Sequence, residues 1–235
     1  MRQHITPELL DEDLGTPEEI RDSLQDLWRV NRYLGGLRCL RRSLELVMER
    51  KRPRTMTILD VGAGSGDVGA WMHAWFGARG VAARVWVLDR QRSHLTCADA
   101  PGNGESAPVT PIVADALALP LADNSIDLVT CNLFLHHFHG EDAVTLLQSL
   151  YRVARTAIVI SDLERSLWPW LAISMTPRPI VSRLSRYDGP ASVRQSYRLD
   201  ELRQLLLQAQ MPGPLIWRMW PYRLGAVVWK EGRRG

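Results

Sequence analysis

Residues 58–67 read Ile-Leu-Asp-Val-Gly-Ala-Gly-Ser-Gly-Asp, an apolar run that meets glycines at positions 62, 64 and 66. Glycine accepts positive φ and lets a ligand approach the backbone closely. A loop of this kind at the carboxyl end of a first strand is where α/β sheets bind nucleotides. The spacing is Gly-x-Gly-x-Gly, with Asp67 where a dinucleotide fingerprint would carry its last glycine. A second apolar run, 85–88, ends in Asp89, whose carboxylate can accept hydrogen bonds from both hydroxyls of a ribose. A third, 112–114, ends in Asp115, placed to accept from an adenine amino group. One acidic strand end is unremarkable. Asp60, Asp89 and Asp115 in succession, with the glycines between, point to a nucleoside ligand.

Those residues act together only if their strands end on one edge. Apolar runs at 57–61, 84–88, 109–114, 126–131 and 157–161 are predicted strands, separated by predicted helices at 67–79, weakly at 91–98, and at 141–155. The first of these helices turns Val68, Met72 and Trp75 to one side, and the last turns Ala143, Leu147, Leu150 and Ala154 inward. Residues 101–106 have loop composition. Strands that are apolar throughout and separated by helices predict a parallel sheet covered on both faces. The end differs: a helix over 198–209, then two runs, 215–221 and 224–230, that form a closing antiparallel pair. Before the first strand, Leu24, Leu27, Trp28, Leu34, Leu37, Leu40, Leu44 and Val47 recur at helical steps, with Gly35-Gly36 marking a bend and Pro53 ending the second helix. Residues 1–17, polar and carrying Pro7 and Pro17, are predicted to be a loose lead-in.

With these motifs the chain resembles the class I S-adenosylmethionine-dependent methyltransferases, over about residues 55–165 by motif and more weakly beyond. The resemblance implies an α/β, Rossmann-like, seven-stranded and mostly parallel sheet with helices on both faces and an N-terminal helical lid. Residues 1–54 would be the lid and 55–235 the cofactor-binding domain, with an acceptor-covering insertion at about 165–197. S-Adenosyl-L-methionine would be the cofactor and S-adenosyl-L-homocysteine the product. Carried over, Asp60, Gly62, Ala63, Gly64 and Gly66 surround the methionine part, Asp89 holds the ribose, Arg90 flanks the adenine, Asp115 and Ala116 hold it, and Asn132 meets the amino-acid end.

The methyl acceptor needs a lone pair or a carbanion, so a base helps wherever it carries a proton. Histidine, near pKa 6.5, suits a phenolic proton in a dry pocket. The run Leu133-Phe134-Leu135-His136-His137-Phe138-His139 follows the fourth strand. His136 is the first candidate base, His137 the second and His139 the last. Asp162, closing the fifth strand, is a candidate to orient His136 or bind the acceptor. Each histidine can equally be a packed or capping residue, and Asp162 a turn residue. The three histidines lack a regular ligand spacing on one face, so no metal is expected.

Two further segments are candidates for the acceptor pocket. Tyr33 lies in Asn31-Arg32-Tyr33-Leu34-Gly35-Gly36 on the lid, and Tyr187 and Arg194 lie in the stretch 187–197. That stretch resembles a motif of bacterial methyltransferases associated with type III polyketide synthases, which methylate phenolic lipids; residues 27–37 and 158–166 resemble the same relatives. Two positions depart from them. Tyr187 stands where a histidine is expected, and Arg198 stands where a threonine would complete a capping box with Glu201. Between the segments, Trp168-Pro169-Trp170-Leu171-Ala172-Ile173-Ser174-Met175 suits an apolar substrate, with Trp168 foremost, or simply a core or dimer contact.

Composition sets the outer bounds. At 235 residues and 46% hydrophobic the chain can bury a full α/β core. A net charge of +3 is mild and fits solvated helix faces, so no nucleic-acid partner is expected. Cys39, Cys97 and Cys131 show no metal spacing, and three sparse cysteines with no signal peptide fit the cytoplasm. No apolar run reaches the roughly 18 residues of a spanning helix; the stretch 167–175 is interrupted by Pro169 and suits covering a pocket or resting on a membrane. The expected function is methylation of a small, hydroxylated aromatic, with or without an apolar tail, by a monomer or homodimer, with O-methylation ahead of C-methylation of the quinone-biosynthesis type. An RNA methyltransferase and a non-catalytic binder remain behind these. A nicotinamide dehydrogenase is disfavoured by the glycine spacing.

Overall fold

The computed structural model describes residues 1–95, 109–177 and 180–230; the expected loop at 101–106 and Cys97 lie outside them. Two helices come first, α1 (Pro17–Tyr33) and α2 (Gly36–Lys51). α1 starts on a reciprocal cap: the Thr16 hydroxyl accepts the Glu19 N–H, and the Glu19 carboxylate accepts the Thr16 N–H. Gly35, at φ 84°, makes the bend between the helices. Then follow β1 (Thr55–Val61), α3 (Asp67–Gly77), β2 (Ala82–Asp89), β3 (Val109–Val113), β4 (Ile126–Asn132), α4 (Gly140–Val153) and β5 (Ala154–Leu163). The chain closes with α5 (Leu167–Ser174), α6 (Arg183–Gln195), α7 (Leu199–Gln208), β6 (Leu215–Met219) and β7 (Arg223–Trp229).

The sheet order is β3-β2-β1-β4-β5-β7-β6, with β7 antiparallel to both neighbours and the remaining pairs parallel. From β1 the chain winds outward to β3, then returns to lay β4 on the other side of β1. That reversal is the topological switch point at which such sheets open a crevice. Register keeps the strand ends together: Val61 pairs with Leu88 and Cys131, Asp89 with Val113, and Asn132 with Ser161. Apolar side chains bury on both faces, one cluster under α4 and α7, the other under α2 and α3. The expected inward residues of α3 and α4 are buried, as are Cys39 and Cys131.

The N-terminal helices are anchored from the sheet. Arg223, at the start of β7 and fully buried, donates from Nε to the Leu34 carbonyl and from a terminal nitrogen to that of Val30. A guanidinium there satisfies the Leu34 carbonyl just past the end of α1, adds a second donor to that of Val30, which already accepts the Leu34 N–H, and complements the helix dipole.

Three expectations change. Residues 1–16 are not loose: Glu8 and Leu10 are buried, and Leu10 packs with Ile20, Leu24 and Leu184. A single buried apolar residue in an aperiodic segment leaves no pattern to read. Of the weak helix at 91–98, residues 91–95 form turns, and 96–98 lie outside the described residues. The insertion contains α5 and α6 where no helix was expected. Asp188-Gly189-Pro190 has turn composition, yet it is helical, and a Cβ on Gly189 would sit 2.4 Å from Ile173. The glycine is there because α5 crosses α6 at that point. At α7, Glu201 accepts the Arg198 N–H, so the expected half of the box is present.

Gly69 lets α3 rest directly on β2, since a Cβ there would meet Val87 at 2.4 Å. Gly69→Val is expected to cost about 1–3 kcal/mol, read as a lower urea midpoint at constant m-value.

Candidate active site

The glycine loop leaves β1 with φ of 70° at Gly62, 53° at Gly64 and 82° at Gly66. A Cβ on Gly62 would strike the Phe134 ring at 2.2 Å, so the β1 loop and the loop after β4 touch there. Asp89 closes β2 against this loop: one carboxylate oxygen accepts the Gly64 N–H at 3.0 Å and the other the Gln91 N–H at 2.9 Å. Asp115 accepts the Leu117 N–H at 2.9 Å and starts the short turn that holds Ala116. The Arg90 guanidinium reaches the Asp11 carbonyl at 3.2 Å.

Two cavities meet these loops. A small one, about 60 Å³, is bounded by Asn31, Asp60, Ala63, Gly64 and Asn132. Burial pushes the Asp60 carboxyl up to about 7, against the hydroxyl of Thr130, which donates to it at 2.6 Å. Asn132 donates to Asn31 at 3.2 Å, and its own carbonyl oxygen is buried with no partner. A buried acceptor without a donor is costly, and an ammonium group in this cavity would supply one. The large cavity, about 1090 Å³, is lined by Gly62, Gly64, Asp89, Arg90, Asp115 and Ala116 on one side. Leu24, Leu27, Val30, Phe134, Ile173 and His136 line it as well.

His136 and Asp162 come together, as expected of a base and its orienting group. His136 Nδ1 is 2.7 Å from one Asp162 oxygen, and the His136 backbone N–H donates to the other at 3.1 Å. An ionised carboxylate only accepts, so Nδ1 carries the proton and Nε2 the lone pair of the neutral ring. Burial would raise Asp162, but the facing His136 outweighs it and holds the carboxyl below its usual range. Nε2 is buried and has no hydrogen-bond partner.

Sequence reasoning missed the groups on the N-terminal segment. Glu8 Oε1 lies 3.8 Å from His136 Nε2 and accepts from Ser192 and Gln195, each at 2.6 Å. Asp11 lies 2.6 Å from His137 Nδ1. Glu8, His136 and His137 thereby bring one donor atom each within 4.8 Å of one another. The segment is fastened to α6 by Asp188, which accepts the N–H groups of Leu9 and Leu10; burial pushes Asp188 up to about 6. No spacing in the chain links residue 8 to residue 136.

The acceptor candidates divide. Tyr33 and Trp168 line the large cavity at its mouth. Tyr187 and Arg194 do not line it: Tyr187 is exposed, and Arg194 lies over the Trp170 ring. A helix sends neighbouring residues to different sides, and α6 presents Asp188, Gly189, Ser192 and Val193 to the cavity instead.

Burial alone would lower His137, but Glu8 and Asp11, with Asp162 behind them, push it up to about 9. Its charge therefore holds the N-terminal segment fully below the ordinary 6.5, and the contribution is lost as pH rises through about 9. Unfolding midpoints are expected to decline across that window, with His136 neighbouring the same carboxylates, and His137→Gln should flatten the decline.

Residues 58–157 match the family model described as Methyltransferase domain. An uncharacterised methyltransferase of Schizosaccharomyces pombe is 28% identical over 160 residues, 65% of this chain; the chain spans 58% of that relative's length. The ubiquinone/menaquinone biosynthesis C-methyltransferase UbiE of Laribacter hongkongensis is 26% identical over 213 residues, 85% of each chain. The crystal structure of the plantazolicin methyltransferase BpumL, in complex with a pentazolic desmethylPZN analogue and S-adenosylhomocysteine, superposes with a TM-score of 0.67 at 15% identity, covering 95% of this chain and 97% of that one. Residues 58–157 thus match a methyltransferase domain, and the seven-stranded sheet order is that of the class I S-adenosylmethionine-dependent methyltransferase fold.

Proposed function

We propose that the chain methylates the hydroxyl of a small aromatic acceptor, a phenol or quinol with an apolar tail. The observation that carries this reading is the unpartnered His136 Nε2, backed by Asp162 at 2.7 Å and sharing one cavity with the glycine loop. Bound S-adenosylmethionine supplies a methyl group on a positively charged sulfur. Asp60 and the free Asn132 carbonyl oxygen are suited to hold its ammonium end, with Gly62, Ala63, Gly64 and Gly66 around it. Asp89 is suited to the ribose, since each of its oxygens spends only part of its capacity on a backbone N–H. Asp115, Ala116 and Arg90 face the adenine end.

On the acceptor side, His136 Nε2 takes the hydroxyl proton. Asp162 keeps Nδ1 protonated and offsets the positive charge that the ring then carries. His137, held charged by Asp11 and Glu8, is less suited to accept a proton. The apolar walls, Leu24, Leu27, Val30 and Ile173, keep water from the reacting oxygen and suit an alkyl chain.

C-methylation is the second reading, favoured by the likeness to UbiE over 85% of each chain. It needs the same deprotonation, because a phenolate also carries negative charge on its ring carbons. A product that keeps its hydroxyl and gains a ring methyl would select it.

Two measurements test the roles. Asp89→Ala is expected to weaken S-adenosylhomocysteine about ten- to a hundredfold in calorimetry, the worth of charged hydrogen bonds; an unchanged Kd would remove Asp89 from the ribose site. His136→Ala is expected to lower kcat on a long-chain phenol about 10²–10⁴-fold while S-adenosylhomocysteine binds as before. Retained kcat would remove His136 as the base.

A further inference from the structure

The mouth of the large cavity is apolar and exposed. Tyr33 (70% exposed), Leu34 (53%), Trp168 (68%) and Ile180 (59%) line the cavity and face solvent. Trp220, whose carbonyl lies against Gly35, is 77% exposed. Behind Trp168 stands α5, Leu-Trp-Pro-Trp-Leu-Ala-Ile-Ser, in which no residue is buried. Large apolar side chains gathered in the open mark an interaction surface, not a core.

The same rim is basic. Residues 27–42, which make the corner between α1 and α2, contain Arg29, Arg32, Arg38, Arg41 and Arg42 and no Asp or Glu. All five are exposed; Arg29 is ion-paired with Asp26 and Arg41 with Glu45, and Arg32, Arg38 and Arg42 carry the rim's excess charge. Arg32 stacks on the Tyr33 ring and Arg38 on the Trp220 ring. Exposed tryptophan and tyrosine flanked by arginine is the composition of surfaces that settle at the headgroup level of a bilayer. No helix among the described residues is long and apolar enough to cross one.

We propose that this rim docks on the surface of an anionic lipid bilayer, with Leu34, Trp168, Ile180 and Trp220 entering the headgroup layer and the arginines meeting lipid phosphates. The cavity then opens against the bilayer, and an apolar-tailed acceptor passes into it without crossing water. A nucleic acid would satisfy the arginines but gain nothing from Leu34 and Ile180. A second copy of the chain would set five arginines against five.

The test is flotation of the full chain with phosphatidylcholine vesicles, with and without about a third phosphatidylglycerol. Association is expected on the anionic vesicles, about tenfold weaker on the neutral ones. It should be lost in the double variant Arg32→Glu, Arg38→Glu and reduced in Leu34→Ser, each binding S-adenosylhomocysteine with unchanged affinity. No association with either vesicle, or association that Leu34→Ser leaves intact and added RNA abolishes, would overturn the proposal. Entry of the acceptor from the bilayer rests on the acceptor class proposed above, but docking does not. Vesicle binding by a protein inactive on every tailed phenol would sink that class and leave the docking surface standing.

Discussion

Parallel pairing in register is the constraint from which the site follows. Because Val61 lies beside both Leu88 and Cys131, the chain leaves β1, β2 and β4 at one level, and β3 and β5 end alongside them. Each exit exposes backbone N–H groups that the sheet no longer uses. The glycine loop, the Asp89 turn and the short turn after Asp115 are therefore neighbours although they are separated by tens of residues. A one-residue slip of β4 would carry Asn132 and the histidines behind it to the other face.

Within that edge the polar groups sort into two environments. Asp60 and Asn132 sit at the bottom of the switch point between β1 and β4, where burial pushes one carboxyl up to about 7 and leaves an amide oxygen without a donor. Asp162 and His136 sit one strand further on, where the facing His136, hydrogen-bonded to Asp162, keeps the carboxyl low. The first environment is suited to a positively charged ligand group. The second is suited to receiving a proton.

What could be read in the chain followed from locality. β1 with its glycines, the acidic strand ends, the closing antiparallel pair and the Gly35 bend all carry patterns within a dozen residues, and the seven-stranded sheet took the form they implied. Asp162 and His136 were legible separately, because strand ends can be counted. The rest depended on contacts with no local trace. Glu8 and Asp11 reach the histidines from a segment with no periodicity. α6 was hidden by Asp188-Gly189-Pro190, three turn-formers that a crossing helix and two backbone N–H groups turn to helical use. With no helix read there, the sequence could not tell Tyr187 and Arg194 from Asp188, Gly189, Ser192 and Val193, which line the cavity.

The buried guanidinium of Arg223 sets one wall of the covering layer apart from the other. Lifting the end of α1 would strand a charge inside the protein and take the Arg223 donor from the Leu34 carbonyl, so the end of α1 is held to the sheet. The opposite wall is fastened by the Asp188 carboxylate, by hydrogen bonds to Glu8, and by the His137–Asp11 and Arg183–Glu19 pairs. The two walls therefore differ in what holds them: one rests on a buried guanidinium, the other in part on the proton that His137 carries.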